Sequence, residues 1–186
     1  AVSLGGDLVR LSATVKYDGP GGDAELLGLY FADAGQHFEQ RLLVDHSQPH
    51  CKSNVVYKGA LQGDPNSGKP DAHTVWIGDV LIRAAAEGTD TFELNRNLVL
   101  TDGARADSVP NLEIETGEIV GAGHASATSI RRRAVVLPAR PRDPRGRGTA
   151  TRRARVLPRD YQQDRRREIR ERLEAAVEAE LAAVGV

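Results

Sequence analysis

The feature that most constrains this chain is a run of short, strand-like segments with no amphipathic helix between them. They recur near residues 8, 26, 38, 54, 74, 91, 112 and 118, separated by turns rich in Gly, Asp and Asn. Val9, Leu11, Ala13 and Val15 alternate with Arg10, Ser12, Thr14 and Lys16. Phe38, Leu42 and Val44 alternate with Glu39, Arg41 and Asp45, and Leu112 and Ile114 with Asn111, Glu113 and Glu115. Period two with one polar face marks a half-buried strand. Thr74 to Ile82 is apolar on both faces instead. Without helices at the crossovers a βαβ arrangement is excluded, which leaves a sandwich, a barrel or a coiled parallel β-helix. Only 4% of residues are aromatic, so Val, Leu, Ile and Ala must fill the interior. That favours the narrow bore of a β-helix. The expected fold class is mainly β, a stack of parallel rungs.

The end of the chain has another period. Ile169, Leu173, Val177 and Leu181 recur every fourth residue, and Glu168 and Arg172 stand at the spacing of an exposed helical ion pair. A short C-terminal α-helix over residues 168–184 follows, ending before Gly185. At 186 residues the chain fits one domain with a real core. Its lone Cys51 permits no internal disulfide and points to a reducing, cytoplasmic setting. No segment approaches the roughly 20 apolar residues of a membrane span. The opening Ala-Val-Ser-Leu-Gly-Gly has no Met and no charged region before an apolar run; it reads as the middle of a strand, so the chain is expected to be a fragment.

Three places could carry chemistry. Gly63 to Lys69 has the glycine and lysine spacing of a phosphate-binding loop, but Pro70 replaces the needed Ser or Thr and a strand pattern follows. A rung-connecting loop is the reading, with no nucleotide expected. His46, His50 and Cys51 are close enough for a soft metal site, against which a fourth ligand is missing and a buried Cys behaves as a small hydrophobe. His37 and His73 have no ligand-like neighbours in sequence and read as surface or turn residues. His124 lies in Gly121-Ala-Gly-His-Ala-Ser-Ala-Thr128 at the end of the last strand. Small residues on both sides leave its imidazole open, which suits a ligand at a subunit contact; a structural role is the alternative.

Lys58-Gly-Ala-Leu-Gln62, Ile77 to Arg83, Thr91 to Leu100 and Ala104 to Glu115, taken together and in this order, resemble the core of SufB/SufD proteins. Asn95-Arg-Asn-Leu98 and the run from Ala104 through Pro110 to Ile114 are the most specific parts. The resemblance covers residues 1 to about 128 and roughly the last twenty. It implies a right-handed parallel β-helix, the C-terminal half of a SufD-like core. It further implies a non-catalytic scaffold for iron–sulfur cluster assembly, acting with SufB and the ATPase SufC on a nascent, transient Fe–S cluster. SufB-like members carry Cys-x-His in the last strand; here the positions hold Ala122 and His124. The thiolate is absent and the imidazole remains, which favours a SufD-like role with His124 as one metal or cluster ligand at the SufB contact.

From Ser129 to Arg167 the chain holds fourteen Arg, three Asp and four Pro, with no Lys or Glu. In the family the last strand is followed by a sequence like Asp-Asp-Glu-Gln-Leu-Phe-Tyr-Leu and by helices that contact SufC. Suitable codons for Arg131 to Pro138, read one base later, give that sequence, and the shift also yields family-like helix at Arg145 to Ala154 and Val156 to Asp164. The expectation is a reading-frame shift over 129–167 leaving an irregular Arg/Pro-rich segment and an impaired SufC contact. The rival is a nucleic-acid-binding protein that uses this basic segment for salt-sensitive phosphate contacts. Tyr161 is its only aromatic residue, so base stacking is poorly served and nucleic acid is not the favoured partner.

Overall fold

The computed structural model describes residues 1–130, 171–176, 178 and 179. The strands are β1 Val2–Ser3, β2 Leu8–Lys16, β3 Asp23–Ala32, β4 His37–His46, β5 Lys52–Leu61, β6 His73–Ile82, β7 Thr89–Val99, β8 Arg105–Ile114 and β9 Ile119–Ile130. They sort by parity into a sheet ordered β1-β3-β5-β7-β9 and a sheet ordered β2-β4-β6-β8. Every pairing is parallel. Parallel neighbours need a long crossover, and here the crossover is a strand of the other sheet. Four coils stack in this way: β2–β3, β4–β5, β6–β7 and β8–β9. The chain is mostly β in a stacked parallel arrangement, as the sequence implies. β9 runs to Ile130, two residues past the boundary expected at 128. Residues 171–176, 178 and 179 are helical, within the span expected for the terminal helix. The segment 131–167, with its proposed frame shift, lies outside the described residues.

Alternate side chains enter the coil. On β6, Thr74, Trp76, Gly78, Val80 and Ile82 are buried while the residues between them are half-exposed. On β7 the buried row is Thr89, Thr91, Glu93, Asn95, Asn97 and Val99. The first coils close over apolar groups, with Phe38, Leu42, Val44, Val55, Tyr57 and Leu61 forming the cluster. Two tyrosines fit because the neighbouring coil has glycine at the matching position. Gly28 pairs with Tyr57 and Gly59 with Tyr30, and a Cβ at either glycine would overlap the tyrosine ring. These are strand glycines placed for close approach. Tyr30 Oη then donates to Asn97 Oδ1 at 2.6 Å across two rungs.

Candidate site at the open end of the coil

The interior changes character from rung to rung. One ladder reads Leu26, Val55, Glu93, His124; the next reads Gly28, Tyr57, Asn95, Ser126; a third reads Tyr30, Gly59, Asn97, Thr128. Apolar or aromatic positions in the early coils become polar in the last two. Asn95, Asn97 and Ser108 satisfy one another: Asn97 Nδ2 donates to Asn95 Oδ1 at 2.7 Å and to Ser108 Oγ at 3.1 Å. Among the described residues nothing pairs with the outer edges of β8 and β9. Pro110, in the middle of β8, fits an edge strand because it has no N–H to give a ladder.

His124 stands on this end, exposed. It reaches the interior-facing row because the β7–β9 register shifts between Thr89 and Asp90. Ile119 pairs with Thr89, Val120 is left over and 75% exposed, and Gly121 pairs with Asp90. A bulge of one residue reverses the facing of everything after it. Ala122 then falls beside buried Thr91 and packs against the core, and His124 falls beside Glu93.

Glu93 is the residue that sequence reading passed over. It is 1% exposed, and neither carboxyl oxygen has a hydrogen-bond partner among the described residues. Its side chain crosses the coil to Gly78, where a Cβ would come within 2.7 Å of Oε1 and would also meet the Trp76 ring. Burial, with a smaller push from the charge of Asp79, raises its pKa from 4.5 to about 7. The alternation in Thr91 to Leu100 sets apolar Phe92, Leu94 and Leu98 against Glu93, Asn95 and Asn97 and so turns position 93 outward; the stack does the reverse, burying Glu93 and leaving Phe92 45% exposed.

The other sequence candidates do not converge. His46 is buried with Nε2 2.9 Å from Ser53 Oγ and its ring stacked on Tyr17 at 4.8 Å. Burial lowers its pKa to about 4 against the favourable charge of Asp45. Cys51 is buried with Sγ 3.6 Å from the carbonyl oxygens of Gly19 and Pro49. His50 is exposed, in the left-handed region at φ 59°, beside Gly88. Among the described residues no three His, Cys, Asp or Glu side chains are grouped to hold a metal ion. Gly63 to Lys69 falls in the loop that joins β5 to β6, and the next element is strand β6. Gly35 N donates to Pro70 O at 2.6 Å there, tying the loop to the β3–β4 turn. His37 and His73 are strand residues in register rather than turn residues. Their ring centroids are 4.8 Å apart, and His73 Nε2 lies 2.8 Å from Asp107 Oδ2, a partner that only the rung stacking supplies. No described helix is long and apolar enough to cross a membrane.

A stacked parallel core whose last described rung is polar and exposed defines a coil-built β domain. Residues 1–131 match the SUF system FeS cluster assembly, SufBD core domain. Iron-sulfur cluster assembly SufBD family proteins of Mycobacterium tuberculosis and Mycobacterium leprae are 83% and 79% identical over 127 residues, 68% of this chain and 32% of each relative. One from Synechocystis is 29% identical over 128 residues, 69% of this chain and 26% of that protein. The chain belongs to the SufBD family of iron–sulfur cluster assembly proteins, and it spans about a third of the mycobacterial relatives' length.

Proposed function

We propose that this chain is a SufD-like, non-catalytic scaffold subunit that works in the cytoplasm with SufB-like and SufC-like partners. The observation that carries the reading is the pair of residues at the open rung. Ala122 offers no thiolate, while His124, two residues on, stands exposed on the same face of β9. A neutral imidazole ligates iron at a shared site but cannot accept sulfur. The nascent Fe–S cluster is thus cargo held between two subunits, with His124 as this subunit's ligand. The edge of β9, which no described strand pairs, adds a second support, because a long free edge is a template for a partner strand.

Co-purification tests the reading. The full chain is expected to capture a SufB-like protein and to bind a SufC-like protein poorly, since the frame-shift reading removes the helices for that contact. RNA retained through high-salt washes, with no SufB-like protein recovered, would replace this reading with the nucleic-acid one. SufC affinity as high as that of a complete SufD-like protein would refute the frame-shift part.

A further inference from the structure

We propose that the arginine-rich segment 131–167 docks on its own chain, seating Arg142, Arg145 and Arg147 in an acidic groove between β6 and β8. The inference is independent of the cluster-assembly reading, since it needs no partner subunit. Charge is divided along the chain. Residues 1–128 hold eighteen Asp and Glu against nine Lys and Arg, whereas 131–167 hold fourteen Arg against three Asp. On the outer face of the β2-β4-β6-β8 sheet, Glu39 is paired with Arg10 and Arg41, Asp45 with Arg83, and Asp107 with Arg105 and His73. Asp79 and Glu113, on the same face by register, are the exceptions. Both line a groove of about 440 Å³ with Leu43, Leu81 and Pro110. Asp79 Oδ1 accepts a hydrogen bond from Asn111 Nδ2 at 2.7 Å, and among the described residues neither carboxylate has an ion pair. The cavity beside Asp33 and Asp64 differs, because Lys69 lines it as well. Arginine suits the groove, since its planar guanidinium bonds carboxylates and its methylenes cover leucine. Proline at 138, 141 and 144 favours an extended backbone, which fits a linear groove. The reach is sufficient. Ile130 ends β9 beside Val99, six residues before Arg105, and Asn111 lies six residues beyond Arg105. That path is at most about 40 Å, which residues 131–142 cover when extended at about 3.3 Å each.

Trypsin reads the docking, because it cleaves a segment only when that segment leaves its contacts. Cleavage of the full chain after Arg142, Arg145 and Arg147 is timed by mass spectrometry against a free peptide of residues 131–167 in the same buffer. At about 0.05 M NaCl the chain is expected to be cut at least about fivefold more slowly than the peptide. At about 1 M, where charges are screened beyond about 3 Å, the two rates should match. Asp79→Asn combined with Glu113→Gln, near-isosteric and checked by thermal unfolding, should remove the protection at low salt. Asp23→Asn with Glu25→Gln takes the same charge from two exposed positions on β3 and should leave it. Protection that survives in the groove variant, or is lost equally in the β3 variant, overturns the proposal. Protection that grows with protein concentration overturns it too, by placing the segment on a second copy. RNA gives a separate reading. The groove variant, its arginines released, should bind a polyuridine oligomer about threefold or more tightly than the β3 variant of equal net charge. Equal affinity in the two contradicts the docking.

Discussion

The closed coils and the open coil of this molecule are built from the same strands to opposite ends. In β2 to β5 the bore is filled with Phe38, Leu42, Val44, Val55 and Leu61, and the buried His46 is hydrogen-bonded to Ser53. In β6 to β9 the same ladders carry Glu93, Asn95, Asn97, His124, Ser126 and Thr128, and Glu93 has no hydrogen-bond partner among the described residues. The first region gains stability from apolar burial. The second gives some of it up and presents donors at an edge that no described strand pairs. A coil stack can specialise one rung while the others hold the fold.

The sharpest way to break this contrast is to cut one side chain from each region. Phe38 is fully buried, and Phe38→Ala should cost about 3–5 kcal/mol in chemical denaturation. An effect below about 1 kcal/mol would mean that the early coils are not the core. Next comes pH, where the two regions should respond with opposite signs. His46 is held at about 4, below its ordinary value, so the unfolded chain takes up a proton that the folded chain refuses. Stability from this group is complete above pH 6.5 and falls by up to about 3 kcal/mol as pH drops towards 4. Glu93 is raised to about 7, so the folded chain keeps a proton that the unfolded chain releases above 4.5. Its contribution is complete below pH 4.5 and is lost as pH rises through 7, by about 3 kcal/mol. Glu93→Gln should therefore be more stable than the unmutated chain at pH 8 and no more stable at pH 4.5. Denaturation midpoints across pH 4 to 8 check both limbs.

A smaller effect is expected at the tyrosine seats. Gly59→Ala must displace the Tyr30 ring and its bond to Asn97, at about 1–3 kcal/mol. Gly117, in the β8–β9 turn, has open space around a Cβ, and Gly117→Ala should cost much less. Smallest of all, His124→Ala should change stability by no more than about 0.5 kcal/mol, because its exposed side chain fills no core space.

Strands such as β2, β4 and β6 were legible because they alternate or are largely apolar between turn residues. The coil was harder to read as a repeat. Successive coils are offset by 29 residues where Leu8 meets His37 and Asp23 meets Lys52, but by 36 where His37 meets His73, since the loop from Gln62 to Ala72 is inserted between. A variable offset hides the period that marks a solenoid. At the site, the flanking small residues pointed to His124, but its facing depended on a single bulged residue, Val120, which alternation cannot locate. Glu93 was hidden for a related reason. Period two turns the apolar Phe92 and Leu94 inward and the carboxylate out, the reverse of what the stack does, and its lack of a partner among the described residues is a property of the fold.

The central claim is that the open rung contributes an iron ligand to a shared site, and iron content of the complex tests it most directly. The full chain and its His124→Ala variant would each be co-purified anaerobically with a SufB-like partner, matched for stoichiometry, and assayed for bound iron by Mössbauer spectroscopy. The account predicts iron in the unmutated complex and its loss in the variant at unchanged partner recovery. Equal iron in the two complexes would contradict it.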